Sequence, residues 1–244
     1  MTEFWKAVNR VIEEADILIE VLDARNAEQT RNKEIENKIK KAGKKIIVIA
    51  NKSDLVENKE KLREAQTKTG AIIVSATKYS GMHSLKERII IEGKRMGLKK
   101  PKVGVLGYPN VGKSSVINAL KGKASAPVSA YSGFTKGIRN VSAKRFMLID
   151  TPGVMPYKEN TGMHATIGAL DFSKIKDPEL AVFEIMNENP GIMQNHYETK
   201  GEYEEFIEEF AKKRHLLTKG AVPDTKRAAT TILRDWQTGK IKIK

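Results

Sequence analysis

The residues with the most specific chemical spacing lie in the middle of the chain, at 107–114, where the sequence is GYPNVGKS. This segment, the phosphate loop, matches the pattern G-x-x-x-x-G-K-S/T, in which a glycine-rich loop surrounds phosphate groups. Lys113 would neutralise the β- and γ-phosphates, Ser114 would bind Mg²⁺, and Ser115 would reach the α-phosphate. The backbone amides expected to surround the β-phosphate are those of Asn110, Val111, Gly112 and Lys113.

The segments on either side of this loop decide between a phosphate site and a chance match. KVGVLG, at 102–107, predicts a buried strand, and residues 114–120 predict a helix. A glycine turn with an unrelated Lys-Ser pair would not need this context. A phosphate site does need it, because the helix N-terminus supplies free amides and a positive dipole. The context therefore favours a phosphate site.

A second polar group, Asn51-Lys52-Ser53-Asp54, is the guanine segment, and it follows the apolar strand KKIIVIA at 44–50. Open α/β sheets bind ligands at the carboxyl ends of their strands. Asp54 can accept from N1–H and the exocyclic amine of guanine, whereas adenine would leave that carboxylate buried and unpaired. Asn51 would brace the loop and contact N7, and the stem of Lys52 would lie over the base. The alternative is a helix start, with Ser53 or Asp54 as the N-cap.

Ser75-Ala76-Thr77 ends a third apolar segment, AIIVSAT at 71–77. At the same edge of the sheet, Ser75 and Ala76 would lie beside the base, with the Ala76 amide directed at guanine O6. Because Ser-Ala pairs are common, this turn supports a guanine site only in combination with Asp54 and the phosphate loop.

A site for Mg²⁺ and the γ-phosphate is predicted from the sequence DTPG, which begins at Asp150, and from the loop before it. Asp150 would hold Mg²⁺ through water, and the Gly153 amide would sense the γ-phosphate. Thr135 would close over both groups, although Ser129 and Ser132 are nearby alternative hydroxyls. The alternative for DTPG is an ordinary β-turn, since Asp, Pro and Gly are common turn residues.

Strands alternate with helical segments through the part of the chain that carries these motifs. Strands are predicted at 16–24, 44–50, 71–77, 102–107, 138–143 and 145–149, and helices at 3–14, 30–43, 57–69, 82–96 and 114–120. Thr30 is the expected N-cap of the second helix. The alternation predicts an α/β fold, a mostly parallel sheet with helices on both faces. In such a sheet the polar groups meet at one edge.

Beyond residue 173 the pattern becomes helical. Three segments place apolar residues at three- and four-residue intervals, at 178–188, 203–217 and 225–240, with no strand candidate between them. The sequence therefore predicts two domains, an α/β domain at 1–172 and a small all-helical C-terminal domain at 173–244.

Composition restricts the possible functions. With 40% apolar and 30% charged residues the chain can fold, and its net charge of +14 favours nucleic acid, and secondly anionic membrane, as partners. The absence of cysteine excludes disulfides, cysteine-ligated zinc and a thiol nucleophile. No apolar run could span a bilayer and the start does not resemble a signal peptide, so a cytoplasmic protein is expected.

The motifs resemble those of translation-factor-class small GTPases, but they come in a different order. In the usual order the phosphate loop comes first and the guanine motifs last. Here NKSD and SAT precede GYPNVGKSS, SGFTKG and DTPG. In this order the chain is similar to the circularly permuted YlqF/YawG family of ribosome-assembly GTPases. The similarity extends to VLDAR at 21–25, QTRN at 29–32 and the final RAATTILRDWQTGKI.

The resemblance implies a P-loop GTPase fold that binds GTP or GDP with Mg²⁺, and a slow GTPase that acts in assembly of the large ribosomal subunit. The helical domain would contact rRNA or the pre-ribosome, and no membrane would be involved. Candidate basic residues for these contacts are Lys212, Lys213, Arg214, Lys219, Lys226, Arg227 and Arg234.

Two departures concern the hydrolysis step. Val154 follows DTPG where many small GTPases have a glutamine that orients water, and the start of the chain lacks the histidine linked to catalysis in some bacterial members. Asn110 occupies a position that accompanies a bound K⁺ in related GTPases, and the alternative is that it only shapes the loop. The residues predicted to take part in hydrolysis are Lys113, Thr135, Gly153 and Asn110.

Two other functions fit the same sequence. The chain could be a nucleotide-gated module that binds RNA or the ribosome with negligible turnover. It could instead be a GTPase at an anionic membrane, but Thr2 is not glycine and the end of the chain has no cysteine, so neither offers a lipidation signal. The sequence carries no indication of the oligomeric state.

Overall fold

The structure is a computed structural model that describes residues 3–121, 139–142, 145–150, 172, 175 and 177–243. The chain divides into two compact units, residues 1–158 and 159–244. The point of division lies outside the described residues, so the boundary predicted after residue 172 stays a prediction.

In its described part, the first unit contains one sheet. Its strands are β1 (Ile17–Asp23), β2 (Lys45–Asn51), β3 (Ile72–Ile73), β4 (Lys102–Leu106), β5 (Arg139–Ser142) and β6 (Met147–Asp150). They lie in the order β3-β2-β1-β4-β6-β5, and every neighbouring pair is parallel except β5 with β6. The predicted mostly parallel α/β sheet is confirmed. All seven residues of β1 are buried, as expected of a central strand with both faces covered.

Helices cover both faces of this sheet. They are α1 (Glu3–Glu14), α2 (Lys33–Lys41), α3 (Lys59–Thr69), α4 (Met82–Arg95) and α5 (Lys113–Lys121). Leu18 of β1 packs with apolar residues of α1 and α2, and Leu22, on the same face, packs against Ala65 of α3. Helices α4 and α5 contact each other and pack against β1, β4 and β6. The side chains of successive β1 residues alternate between these two layers.

Asn32, rather than Thr30 as the sequence predicts, caps the start of α2. The Asn32 side-chain oxygen accepts a hydrogen bond from the Ile35 amide at 3.1 Å. The Thr30 hydroxyl instead donates to the Asn26 carbonyl at 2.8 Å and accepts from the Asp23 amide at 3.0 Å. Thr30 therefore ties the end of β1 to the turn that follows, and α2 begins later than predicted.

One carboxyl group, Glu20, lies inside the sheet with 0% exposure. Its Oε1 accepts from the Asn32 amide at 2.7 Å, and within the described part of the chain its Oε2 has no hydrogen-bond partner. Burial raises the pKa of Glu20 to about 8; the Asn32 amide opposes this rise, the Glu36 carboxylate adds to it, and Arg31, which pairs with Glu36, opposes it. The raised pKa favours the protonated form of Glu20 in the folded chain.

We expect Glu20→Gln to be more stable than the wild type near pH 8 and about equally stable near pH 4. The folded chain keeps a proton that the unfolded chain loses above its ordinary pKa of 4.5. The wild-type free energy of unfolding should therefore fall as the pH rises toward 8, by at most about 1.4 kcal/mol per pH unit. Glutamine mimics the protonated acid and does not titrate.

Thermal denaturation across this pH range measures the difference between the two proteins. Glu34→Gln, an exposed position on α2, is the control and should follow the wild type at every pH. A difference between Glu20→Gln and the wild type that does not change with pH would contradict the buried protonated carboxyl.

The second unit is a helical bundle in its described part. Its helices are α6 (Pro178–Glu188), α7 (Ile192–Tyr197), α8 (Tyr203–Lys213) and α9 (Thr225–Thr238). Trp236 of α9 is fully buried among residues of α6 and α8, including Phe206 and Phe210. The three predicted helical segments correspond to α6, α8 and α9. The short α7 was not predicted, because six residues are too few to show helical periodicity.

Among the residues that the structure describes, no helix has both the length and the apolar character that crossing a bilayer requires. The longest helices, α4 and α9, are amphipathic, and each buries only part of its surface. The buried apolar residues of α4 are Met82, Leu85 and Ile89, and those of α9 form part of the helical core.

Candidate functional site

The polar segments identified in the sequence lie at the carboxyl edge of the parallel strands. Strand β2 ends at Asn51, β4 ends at Leu106 directly before the phosphate loop, and β6 ends at Asp150. In register, Asp23 of β1 is paired with Asn51, and Val105 of β4 is paired with Asp150. The backbone therefore brings three segments that are far apart in sequence to one edge of the sheet.

Two glycines of the phosphate loop allow its close packing. A Cβ at Gly107 would lie 2.4 Å from the Val21 carbonyl oxygen, and a Cβ at Gly112 would lie 2.3 Å from Asn51 Nδ2. Both glycines have positive φ, +145° and +94°, which a residue with a side chain rarely adopts. Asn110 is also left-handed, with φ 61°, a conformation that asparagine tolerates better than most residues. The loop backbone thus passes directly over β1 and Asn51.

The Asn51 side chain joins the guanine segment to the phosphate loop. It is 2% exposed, and its Nδ2 donates to the Val111 carbonyl at 2.9 Å. Its Oδ1 accepts from the Ala76 amide at 3.0 Å. One amide group therefore connects the loops that follow β2, β3 and β4. The bracing role predicted for Asn51 is consistent with this geometry.

The Ala76 amide, which the sequence predicts to donate to guanine O6, donates to Asn51 in this structure. The reason is local, since the turn after β3 lies directly against the end of β2, where Asn51 is the nearest acceptor. A contact with O6 would require the N–H group to be shared between two acceptors, and it stays a prediction.

Hydroxyl groups of the same turn orient the Asp54 carboxylate. Ser75 Oγ donates to Asp54 Oδ1 at 2.5 Å, and Thr77 Oγ1 donates to Oδ2 at 3.3 Å. Ser75 Oγ also accepts from the Lys78 amide at 3.1 Å, which fixes the direction of its proton. Asp54 is only half-buried, so a ligand can reach it. Sequence reasoning missed Thr77, although its hydroxyl two residues after Ser75 was a visible signal.

Lys113, Ser114 and Ser115 form the first turn of α5, where backbone amides lack helical partners. The first helical hydrogen bond runs from the Val116 amide to the Gly112 carbonyl at 2.9 Å. The buried Lys113 ammonium donates to the Tyr108 carbonyl at 2.7 Å, within the phosphate loop itself. This lysine is therefore held at the loop, with its charge beside the helix N-terminus, as a phosphate-binding lysine must be.

Lys52 is anchored at its ammonium end. Its Nζ lies 2.8 Å from Asp23 Oδ2 at the end of the neighbouring strand. Burial lowers the pKa of Lys52, and the Asp23 carboxylate opposes that change. The stem predicted to lie over the base is consequently stretched toward β1.

Several predicted site residues lie outside the described residues, namely Thr135, Gly153 and Val154. Asp150 is described only through its backbone, at the end of β6. The predicted Mg²⁺ ligands are therefore placed only in part, with Ser114 in the first turn of α5 and the backbone of Asp150 on the strand beside the phosphate loop.

The described residues suit a purine nucleotide that carries phosphates. The backbone amides at the N-terminus of α5 and the Lys113 ammonium can bind anionic oxygens. The absence of a side chain at Gly112 lets the loop backbone lie against the Asn51 side chain. Asp54 offers two acceptor oxygens, which Ser75 and Thr77 orient.

Residues 102–219 match the family model described as 50S ribosome-binding GTPase. The uncharacterized GTP-binding protein MJ1464 of Methanocaldococcus jannaschii is 41% identical over 247 residues, which cover 97% of this chain and 65% of that protein. Nucleolar GTP-binding protein 2 of Neurospora crassa is 33% identical over 254 residues, covering 97% of this chain and 40% of that protein. The chain thus spans less than two thirds of either relative.

Two solved structures have the same fold. The GNP-bound structure of YlqF from T. maritima superposes with a TM-score of 0.68 at 24% identity, covering 100% of this chain and 98% of that one. The GDP-bound YlqF structure gives a TM-score of 0.64 at 25% identity, with 97% of each chain covered. The chain therefore has the fold of these YlqF structures and is similar in sequence to GTP-binding proteins.

The order of the motifs along the chain leaves the site geometry intact. The guanine segment and the turn 75–77 come from the strands β2 and β3, which precede the phosphate loop in sequence. The link between the two sequence halves is the stretch 96–101, between α4 and β4, at the opposite edge of the sheet from the site. The predicted resemblance and fold class are confirmed.

Proposed function

We propose that the protein binds GTP and GDP with Mg²⁺, hydrolyses GTP slowly, and acts in assembly of the large ribosomal subunit. The observation that carries the nucleotide proposal is the Asn51 side chain, which bonds the phosphate loop at Val111 and the turn at Ala76. This contact holds the guanine segment and the phosphate loop at a fixed separation. The family model and the relatives named as GTP-binding proteins support the same proposal.

Each predicted site residue would have a defined part in this function. Lys113, which donates to the Tyr108 carbonyl, would exchange that acceptor for phosphate oxygens. Mg²⁺, held by Ser114, Thr135 and Asp150, would supply positive charge to the β- and γ-phosphates. The Gly153 amide would detect the γ-phosphate. Hydrolysis would be slow because Val154 cannot orient a water molecule by hydrogen bonding.

Titration calorimetry with GDP and ADP tests the nucleotide proposal. We expect GDP to bind at least about a hundredfold more tightly, because adenine lacks the two donors that Asp54 requires. Equal affinities for the two nucleotides, or no binding of either, would contradict the proposal.

We also propose that K⁺ contributes positive charge during hydrolysis through Asn110. The left-handed backbone of Asn110 supports the simpler alternative as well, since asparagine is suited to that turn. Asn110→Gly keeps the backbone conformation and removes the side chain, so it separates the two roles. We expect faster GTP hydrolysis in K⁺ than in Na⁺ for the wild type and equal rates for Asn110→Gly. Equal wild-type rates in the two salts would contradict the K⁺ proposal.

The basic residues of the helical unit divide into paired and unpaired groups. Lys212 and Lys213 of α8 lie 3.4 and 2.9 Å from Glu208 and Glu209, one helical turn earlier. In the described part of the chain, Lys219, Lys226 and Arg227 form no salt bridge, and all three are exposed. They lie in and after the turn that joins α8 to α9. This second group is the better candidate for contact with rRNA phosphates.

Co-sedimentation with large ribosomal subunits tests the partner proposal. We expect the wild type to sediment with the subunit in a non-hydrolysable GTP analogue and much less in GDP. The double variant Lys226→Glu with Arg227→Glu should lose binding in either nucleotide. The control, Lys212→Glu with Lys213→Glu, makes the same change of charge in the paired group and should lose less binding to the subunit. Equal losses would contradict the assignment of the contact surface.

A nucleotide-gated binding module with negligible turnover is the second candidate function, and Val154 in place of glutamine favours it. Single-turnover GTP cleavage with and without large subunits distinguishes the two. Cleavage that the subunit accelerates indicates an enzyme, whereas subunit binding without cleavage indicates the module. The cytoplasmic location stays a prediction from the sequence.

A further inference from the structure

Asp23, Arg25 and Lys52 form a buried ion cluster beside the guanine segment. The side chains of Asp23 and Arg25 are 3% and 2% exposed, and that of Lys52 is 17% exposed. Arg25 binds Asp23 through two hydrogen bonds, from Nε to Oδ1 at 3.0 Å and from Nη2 to Oδ2 at 2.8 Å. Lys52 Nζ approaches the same Oδ2 at 2.8 Å.

Lys52 is not needed to neutralise the pair of Asp23 and Arg25. Arg25 already balances the charge of Asp23 with a bidentate geometry, so Lys52 adds a buried positive charge. Burial favours the protonated form of Asp23, but Arg25 and Lys52 outweigh it and hold the pKa of Asp23 below its usual range. The cluster therefore keeps a charged acceptor in place for Lys52.

The backbone at Lys52 explains why such an anchor matters. Lys52 has φ 65° and ψ 31°, a left-handed conformation that is unfavourable for a residue with a side chain. It is the residue between Asn51, which binds the phosphate loop, and the segment that presents Asp54 to Ser75. A change of conformation at this residue would redirect both of these side chains.

We propose that Asp23 and Arg25 are positioning residues for guanine recognition. Arg25 holds Asp23, Asp23 holds the Lys52 ammonium, and the held lysine fixes the left-handed turn that directs Asp54 toward the base. Because Asp23 ends β1 and is paired in register with Asn51, the anchor lies on the strand next to the guanine segment. The inference rests on the proposed function, in which that segment binds guanine.

The test measures guanine selectivity, which a loss of stability alone would not change. IDP lacks the exocyclic amine from which Asp54 would accept a hydrogen bond. The ratio of GDP to IDP affinity therefore reports the position of Asp54. We expect Asp23→Asn to weaken GDP binding about tenfold and to reduce this ratio. Lys52→Met keeps an unbranched stem without the ammonium and leaves the Asp23–Arg25 pair intact, and we expect it to reduce the ratio as well.

A double variant and a matched control complete the experiment. If Asp23 acts through Lys52, Asp23→Asn has no further effect on the ratio in the Lys52→Met background. Glu92→Gln is the control. Glu92 is a buried carboxylate on α4 that also pairs with cations, and Arg88 Nε lies 2.9 Å from its Oε1. This variant should lower the melting temperature and leave the ratio unchanged.

Two results would overturn the inference, an unchanged GDP to IDP ratio in folded Asp23→Asn or Lys52→Met, and additive effects in the double variant. Failure of the proposed function has a different signature. In that case the wild type itself would bind GDP no better than ADP, before any variant is compared.

Discussion

A Gly112→Ala variant is expected to bind GDP about a hundredfold more weakly than the wild type. The added methyl group would lie 2.3 Å from Asn51 Nδ2, and the residue would have to adopt φ +94°. Asn51 would have to move, so its hydrogen bonds with Val111 and Ala76 would be lost together. Two buried hydrogen bonds contribute about 3 kcal/mol in total, which corresponds to this factor.

Titration with a fluorescent GDP analogue measures the loss, and Gly97→Ala is the matched control. Gly97 also has a positive φ, +71°, but a Cβ there would meet no atom within 4 Å. Both variants therefore introduce the same kind of backbone strain, and only Gly112→Ala displaces Asn51. Similar affinities in the two variants would show that the contact with Asn51 does not hold the site together.

Asp54→Asn is expected to weaken GDP binding by a factor on the order of a thousand and to give a preference for XDP. The carboxylate accepts from two guanine donors in the proposed complex, and the amide can accept only one of them and repels the other. Xanthine replaces the exocyclic amine with a carbonyl group, to which the new amide can donate. Changing one atom of the protein would thus reverse the preferred base.

Competition between GDP and XDP for the labelled nucleotide checks this result. Ser75→Ala serves as the control, since it removes the hydroxyl that donates to Asp54 at 2.5 Å but keeps the carboxylate. It should weaken GDP binding only several-fold, without a change of base preference. If Asp54→Asn still prefers GDP over XDP, Asp54 does not read the base.

Much of the fold could be predicted from the sequence because its signals are local. β1 and β2 are apolar runs that end in polar residues, and parallel strands place those ends at one edge. The phosphate loop was predictable for the same reason, since it follows β4 and opens α5. The permuted connectivity could be predicted from the order of the motifs along the chain.

Other features depend on contacts between segments that are distant in sequence, and spacing does not encode them. The ion pair of Lys52 with Asp23 exists because β1 and β2 are neighbours in register. The protonated Glu20 also depends on what packs around a strand. The cap of α2 was predicted at Thr30 although Asn32, two residues later, is an equally suitable capping residue.

The position of the link at 96–101 has a consequence for synthesis. The amino end of the chain is made first. The strands β1, β2 and β3, together with the guanine segment and the turn 75–77, are therefore made before β4 and the phosphate loop exist. Until β4 arrives, the edge of β1 that it will occupy has no strand partner. A nucleotide cannot assist the early half, because its phosphates have nothing to bind. Any folding of the first strands before that point therefore takes place without the ligand that the finished protein is proposed to hold.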